Sequence, residues 1–581
     1  MAEESSPLSL FESVNTRDRR QIVGLVLALI AILGLAVYGW HRTAADHHIR
    51  LGTTDLIEDV SDTLMGKEYI LVTEKPEDTH WAVKASALGM KALFALAVLK
   101  GALMVFDRKR KELWFSLVTK PSGHTVICGT GHRGTELAKR LLKMDDSKGR
   151  IVLIEKDREN ASLEELQKLG AVIIEGNALD PEVLTRARAN DAGRVIGLLP
   201  SDEANISLAE LVSDTEKGTR EIVAGVESYE LRSYFRKHPR VRMLGFLARA
   251  ARKLLTDQAC LIAGDPEVRS RGACLLLEAS NPFREECLRA ASVALQISGD
   301  TRPTVILSHT TEEDRRGFEE RYPDAFRVLD LVWVEGDPSM EIQKRGLRIP
   351  DIAIFGLDDD SKTLEAAERF RVRTGCGSCG DCDGSDPKCQ PCGGSGRASS
   401  KKRIVAVLND TGELLKLAKG QNVPEIQPLN AFELSLGDSD PLDDAFEATA
   451  REIHEDYRVE ELAKPNGYHD IMPWDKLPEM DKDVNRLAAG HKTVKMKIWN
   501  SRGDQPEEPI IDLLARSEHQ RWMAVKIMDG WRYSGDPKKR IKAQMLDNLF
   551  IPFDELPDGP EGEKVKDINN VRLLLGLKKI S

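Results

Sequence analysis

HTVICGTGHRG, His124 to Gly134, is a buried apolar strand that runs into a glycine turn and then a helix. Outward from it, β-rich runs alternate with amphipathic stretches. We read strands at 125–129, 151–155, 171–175, 194–199 and 221–226, with helices beginning near Gly134, Ala161, Pro181, Glu203 and Tyr229. This alternation predicts an α/β fold with a doubly wound parallel sheet and right-handed crossovers. The glycines stand where such a fold needs them. Gly129 permits the tight turn, Gly131 lets the backbone approach a pyrophosphate, and Gly134 lets helix and strand pack closely. The helix start then offers free N–H groups to phosphates. Glu155 ends the second strand about twenty residues on, where a carboxylate accepts ribose hydroxyls. The alternative is a glycine turn that packs strand on helix and holds no ligand.

The stretch from His124 to about Ser228 resembles the regulator-of-potassium-conductance (RCK, or TrkA-N) domain. The resemblance is carried by GTGHRG, IVLIEKD, IIEGNALDPEVLTRA and VIGLLPSDEANISLAELV. It implies NAD(H) or an adenine nucleotide held by Gly129, Thr130, Gly131, His132, Arg133, Gly134, Glu155, Asp157, Gly176 and Asn177, within a domain over 122–262. The family has Asp where Asn177 stands. It also implies subunits that pair, and hence a homo-oligomer.

The pattern then repeats. VIIEGNALDPEVLTRA at 172–187 is echoed by VWVEGDPSMEIQKRG at 332–346, and VIGLLPSDEANISLAEL by IAIFGLDDDSKTLEAAE. With strands at 273–277, 304–308 and 403–408, this predicts a second Rossmann-like domain over 268–430. Its first turn, Glu278-Ala-Ser-Asn-Pro-Phe-Arg, has no glycine, so it reads as a structural lobe. Asp337 and Asp358–Asp360 are either a solvated acidic loop or a cation site.

Ahead of these domains, Ile22 to Trp40 is uncharged over about nineteen residues, enough to cross a bilayer core of roughly 30 Å. Ser86 to Phe106 is a second, less pure span. We expect a cytoplasmic tail (1–20), spans at 21–41 and 85–106, and an extracytoplasmic loop (42–84). Arg17, Arg19 and Arg20 precede the first span and Arg108–Lys111 follow the second, while the loop is acidic. Both termini are therefore expected to be cytoplasmic, in a cell (inner) membrane protein. Tyr38 and Trp40 are expected at the outer interface. The first run exceeds the apolar region of about 7–15 residues found in a signal peptide, so it reads as a retained anchor. A net charge of −11 argues against a nucleic-acid partner.

Five of the nine cysteines fall between Cys376 and Cys392. In a reducing compartment, two CxxC knuckles favour thiolate coordination over disulfides. Cys379, Cys382, Cys389 and Cys392 are the expected ligands of a structural zinc within an insertion at 374–396; an iron–sulfur cluster, or no metal, is the alternative. The second knuckle resembles that of the DnaJ-type zinc module.

From about 445 to 578 a different pattern occurs twice. His454-Glu-Asp-Tyr leads to Pro473-Trp-Asp-Lys-Leu-Pro478, and His519-Gln-Arg-Trp leads to Pro552-Phe-Asp-Glu-Leu-Pro557. The prolines fix entry to and exit from each extended segment. Through ARSEHQRWMAVKIMDGWRYSG and LFIPFDELP this region resembles the ryanodine-receptor (RyR) repeat domain. The whole then resembles bacterial RyR-domain proteins: a transmembrane hairpin, tandem RCK-like domains and a mainly helical RyR module. His519, Trp522, Trp531, Arg532 and Tyr533 either form a ligand pocket or line a helical core.

Together these features point to a membrane-anchored, nucleotide-responsive regulator or ligand-gated ion conductance, in potassium transport by the resemblance. The alternatives are a nucleotide-triggered membrane effector of a conflict system and an NAD-dependent oxidoreductase. The chain has no Tyr-x-x-x-Lys pair, no Walker lysine after the glycine turn and no serine nucleophile elbow, so we expect no enzyme.

Overall fold

The computed structural model describes residues 16–50, 52–65, 79–96, 98, 123–144, 151–213, 221–236, 240–374, 403–409, 413–420, 426–463, 470–536, 540–557, 559 and 562–578. The expected zinc ligands Cys379, Cys382, Cys389 and Cys392 lie outside the described residues, as do residues 97 and 99–106 of the second expected span. The chain forms two compact units, Met1–Thr119 and Lys120–Ser581.

In the first unit a single helix, α1, runs from Thr16 to Asp46. Among the described residues, Leu27–Asp46 is the one helix long and apolar enough to cross a membrane, and it overlaps the expected span at 21–41. Residues 42–84 are not simply a loop. They contain α2, Thr53–Leu64, whose Val60 and half-buried Leu56 pack on Leu33, Ala36 and Trp40 of α1. Four acids, Asp55, Glu58, Asp59 and Asp62, mask this apolar stripe in the sequence. The Asp55 carboxylate accepts from Gly52 N at 3.2 Å and so closes the first turn of α2. Trp40 is buried, and its Nε1 donates to Thr63 Oγ1 at 2.8 Å. Its hydrogen-bond partner is therefore on α2. Residues 81–96 are again helical and return against α1 at Gly39, where a Cβ would sit 2.7 Å from Val83.

The second unit holds two parallel six-stranded sheets. The first has the order β3-β2-β1-β4-β5-β6, with β1 Thr125–Cys128, β2 Ile151–Glu155, β3 Val172–Glu175, β4 Arg194–Gly197, β5 Glu221–Gly225 and β6 Val241–Leu244. Helix α3, His132–Lys143, follows β1; α4, Tyr229–Tyr234, follows β5; α5, Phe246–Ile262, leaves β6 and runs to the second lobe. The central strands read as apolar runs because they are covered on both faces. Val126, Ile127, Leu153, Ile196 and Val223 are all essentially inaccessible, each contributing about 1.5–3 kcal/mol of burial.

The second sheet has the order β12-β11-β10-β7-β8-β9, with β7 Cys274–Ala279, β8 Thr304–Leu307, β9 Asp330–Trp333, β10 Ile352–Gly356, β11 Arg403–Leu408 and β12 Ile426–Asn430. Counted within its own lobe this is the same 3-2-1-4-5-6 order, so the repeat seen in sequence is a repeat of fold. Helix α6, Phe283–Ala294, follows β7. After β12 the chain crosses back: Phe432, Leu436 and Leu442 complete the core of the first lobe, and Asp440 pairs with Arg194 at 2.7 Å.

The C-terminal module is helical: α7 Glu447–Ala463, α8 Glu479–Asn500, α9 Glu507–Met528 and α10 Glu563–Leu574. It shares one core with α5, α6 and one face of the second sheet. At its junction with the first lobe lies a buried charge network. Arg486 on α8, with no exposed surface, meets Glu447 at 2.6 Å, Glu479 at 2.7 Å and Asp483 at 2.9 Å. Arg242 and Arg249 reach Glu479 from the other side. Burial pushes the Glu479 carboxyl up, but Arg486, Arg242 and Arg249 outweigh it and hold that group well below the usual carboxylate range.

Candidate nucleotide site in the first lobe

The crevice of a 3-2-1-4-5-6 sheet opens between β1 and β4, beyond the carboxyl ends of the strands. Gly129, at φ +93°, makes the turn out of β1, and a Cβ there would stand 2.6 Å from Leu198 O. A Cβ on Gly134 would stand 1.9 Å from Gly129 O, so the helix packs on the turn with no room for a methyl group. Gly131, the N-cap of α3, has nothing within 4 Å of that position. Two of the glycines thus serve packing, and the third faces open space beside the first N–H groups of a twelve-residue helix. That is the geometry of a phosphate cradle.

Glu155 lies at the tip of β2, on the wall of the crevice. Its Oε2 accepts from Thr130 N at 2.8 Å and from Thr130 Oγ1 at 2.5 Å, and its Oε1 accepts from Asp157 N at 2.9 Å. Burial raises the Glu155 pKa, but these donors prevail and hold it below the ordinary carboxylate range. The group is therefore an anion at neutral pH, as a ribose-hydroxyl acceptor must be. Asn160 completes the frame by donating to Thr130 O at 2.8 Å. Spacing alone did not single out Asn160; its only signal was its place just before the next helix.

Of the other expected residues, Arg133 reaches across the crevice to Glu227 at 2.5 Å. Gly176, at φ +152°, ends β3, and its N–H donates to Glu155 O at 2.9 Å, which brings the third strand's turn to the site. Asn177 is used locally, its Oδ1 accepting from Leu179 N at 3.1 Å. Asp157 likewise accepts from Glu159 N at 3.0 Å.

The second lobe offers no equivalent cradle. Cys128 pairs with Gly197 in one sheet and Ala279 with Gly356 in the other, so Ser280-Asn-Pro-Phe-Arg-Glu285 stands where Gly129–Gly134 stands. The Phe283 ring lies 2.9 Å from the Cβ position of Gly356 and fills the crevice. Asp337 caps the next helix through Ser339 N and pairs with Arg369 at 3.1 Å and Arg373 at 2.9 Å. Asp360 accepts from Asn409 N at 2.7 Å, and Asp359 from Lys362 N at 3.0 Å. These acids hold structure, and among the described residues no cluster of ligands suits a metal ion.

In the C-terminal module the two sequence copies share one local geometry. His454 Nε2 lies 2.8 Å from Met472 O, and His519 Nε2 lies 2.9 Å from Ile551 O. Arg451 pairs with Asp475 at 2.5 Å, and Arg516 with Asp554 at 2.7 Å. Trp474 and Phe553 are the buried aromatics of the two extended segments. His519 is buried and stacks on Trp522 at 5.9 Å, which in turn meets Phe550 edge-on. Trp531 lies under Lys526, Tyr533 under Arg327, and Arg532 is exposed. The five residues are thus distributed between a packed core and its edge.

Residues 125–241 match the TrkA-N domain family. The Trk system potassium uptake protein TrkA homolog of Pyrococcus horikoshii is 31% identical over 124 residues, 19% of this chain and 51% of that protein. The chain thus spans about half the length of that curated relative. Among solved structures, GsuK bound to ADP is similar at 15% identity and a TM-score of 0.36, covering 71% of this chain and 94% of that one. The structure titled GsuK Channel is similar at 17% and 0.36, covering 71% and 96%. The first lobe is a TrkA-N-like Rossmann domain, followed by a second lobe of the same strand order.

Proposed function

We propose that the chain is a membrane-anchored regulator, or the gated conductance itself, in potassium transport, and that its first lobe responds to NAD(H) or another adenine nucleotide. The observation that carries this reading is the open Gly131 cradle facing an ionised Glu155 at the sheet's switch point. The TrkA-N match and the TrkA homolog support the potassium context. The apolar α1 supports anchoring. We read the site as regulatory and not catalytic, the C-terminal repeats as an RyR-like module, the cysteine insertion as a structural zinc knuckle, and the assembly as a homo-oligomer. A nucleotide acts on such an assembly only through different affinities for two states.

The test is potassium flux from proteoliposomes holding the full chain. NADH or ADP should change the flux, and Glu155→Ala should lower the apparent affinity by about tenfold or more, as losing a charged hydrogen-bond acceptor does. Flux indifferent to both nucleotides refutes the reading.

A further inference from the structure

We infer that the Arg133–Glu227 ion pair is a strap across the nucleotide crevice, and that a ligand's phosphates open it and so loosen the first lobe's hold on the second. The inference rests on the nucleotide reading above and concerns how that same site is regulated.

The topology places the strap. Arg133 belongs to α3, which follows β1, whereas Glu227 follows β5, on the far side of the β1/β4 switch point. Their 2.5 Å contact therefore spans the mouth in which a dinucleotide lies. Arg133 is 40% exposed and only two residues past Gly131, so its guanidinium is within reach of a phosphate on the cradle. A pyrophosphate carries more charge than one carboxylate and accepts both arms of a guanidinium, so it competes well for Arg133.

Glu227 cannot simply turn to water. Its side chain is 13% exposed; its Oε2 accepts from Leu247 N at 3.0 Å, and its own N–H donates to Asp202 Oδ1 at 3.0 Å. Burial pushes its pKa up, with Arg133 the strongest opposing influence, then Leu247 N–H and Arg232; the Asp202 charge adds to burial. When Arg133 leaves, the remaining cation is Arg232, whose charge already favours the ionised Glu227 carboxyl and whose guanidinium is held beside it by donating to the Glu227 main-chain carbonyl at 2.7 Å. Arg232 is buried and paired with Glu286 on α6, the first helix of the second lobe. Glu227 and Glu286 then compete for one guanidinium. Phosphate binding in the first lobe is thereby felt at the first helix of the second.

The test uses the full chain in detergent and NADH titration, with hydrogen exchange read over 283–294. Glu227→Gln removes the competitor while keeping the shape, and should tighten NADH about fivefold, the scale of a part-exposed ion pair. Arg133→Ala should instead weaken binding about tenfold, through loss of a phosphate partner. A strap requires these opposite signs; a merely structural pair would shift both variants the same way. Glu286→Gln, which meets the crevice only through Arg232, should tighten NADH about threefold by reciprocal linkage. NADH should speed exchange over 283–294 in the native chain and leave it unchanged in Glu227→Gln. The inference is overturned if Glu227→Gln or Glu286→Gln leaves affinity unchanged or lower, or if 283–294 ignores NADH in a native chain that binds it. A native chain that binds neither NADH nor ADP refutes the nucleotide reading itself, and the strap with it.

Discussion

Alanine at Gly134 should melt the first lobe, whereas glutamate at Gly131 should leave it folded and blind to nucleotide. The two positions lie three residues apart in one turn and differ in what a side chain would meet. A Cβ at Gly134 would stand 1.9 Å from Gly129 O. That is backbone, which cannot give way without moving β1 or α3, and the cost should be about 3 kcal/mol or more. At Gly131 the surrounding space is open and φ is −62°, a conformation any residue adopts. Glutamate there should fold normally while placing a carboxylate where phosphate would sit, at the positive end of α3. Binding should fall by about a hundredfold, some 3 kcal/mol. Thermal melts beside NADH titrations separate the outcomes. A stable, binding-competent Gly134→Ala would show that the turn is looser than described, and unchanged binding in Gly131→Glu would remove the phosphate from the cradle.

The second large effect is at Arg486. Replacing it with leucine leaves Glu447, Glu479 and Asp483 facing one another in a buried junction, although Arg242 and Arg249 still reach Glu479. Breaking a buried network from one side costs about 3–5 kcal/mol; here Glu447 loses its Arg486 partner, while Glu479 keeps Arg242 and Arg249 and Asp483 keeps Arg252. The pH dependence follows from the direction of the Glu479 shift. Its folded-state pKa is depressed, so its contribution is present above the ordinary carboxylate pKa and is lost as pH falls through the folded value. The deficit of Arg486→Leu should therefore be largest near neutral pH and shrink below about pH 4.5, where the carboxylates of the variant take up protons. Urea denaturation of native and variant chains at pH 7 and pH 4 measures this. A deficit under 1 kcal/mol at neutral pH would mean the network is slack.

Much of the fold was legible because the central strands are covered on both faces. VIC, IVLI and VIG read as apolar runs, and their ends fall within a residue or two of the expected limits. The strands that escaped notice, β6 and β12, are both sheet edges. VRML and IQPLN carry an arginine, a glutamine and a proline, which an edge tolerates and a centre does not. Helix α2 was hidden by its acids, and the Trp40–Thr63 bond joins residues 23 apart that only the packing of α2 on α1 brings together. The site divides along a similar line. The separate roles of the three glycines follow from spacing, since local backbone geometry is a local property of sequence. The Arg133–Glu227 contact joins residues 94 apart, and only the strand order brings them together. His519 and Trp522 could be read as pocket or as core from sequence; the His519 ring is buried against Ile551 O, and the partly buried Trp522 packs on the core.

The most direct measurement is mass spectrometry of small molecules released from the purified, detergent-solubilised chain, set against the amount of protein. One adenine nucleotide per chain is expected, because the first lobe has an open cradle and Phe283 fills the second. It should be absent from Gly131→Glu and clearly reduced in Glu155→Ala. The same nucleotide retained in both variants, or two nucleotides per chain, would contradict the account.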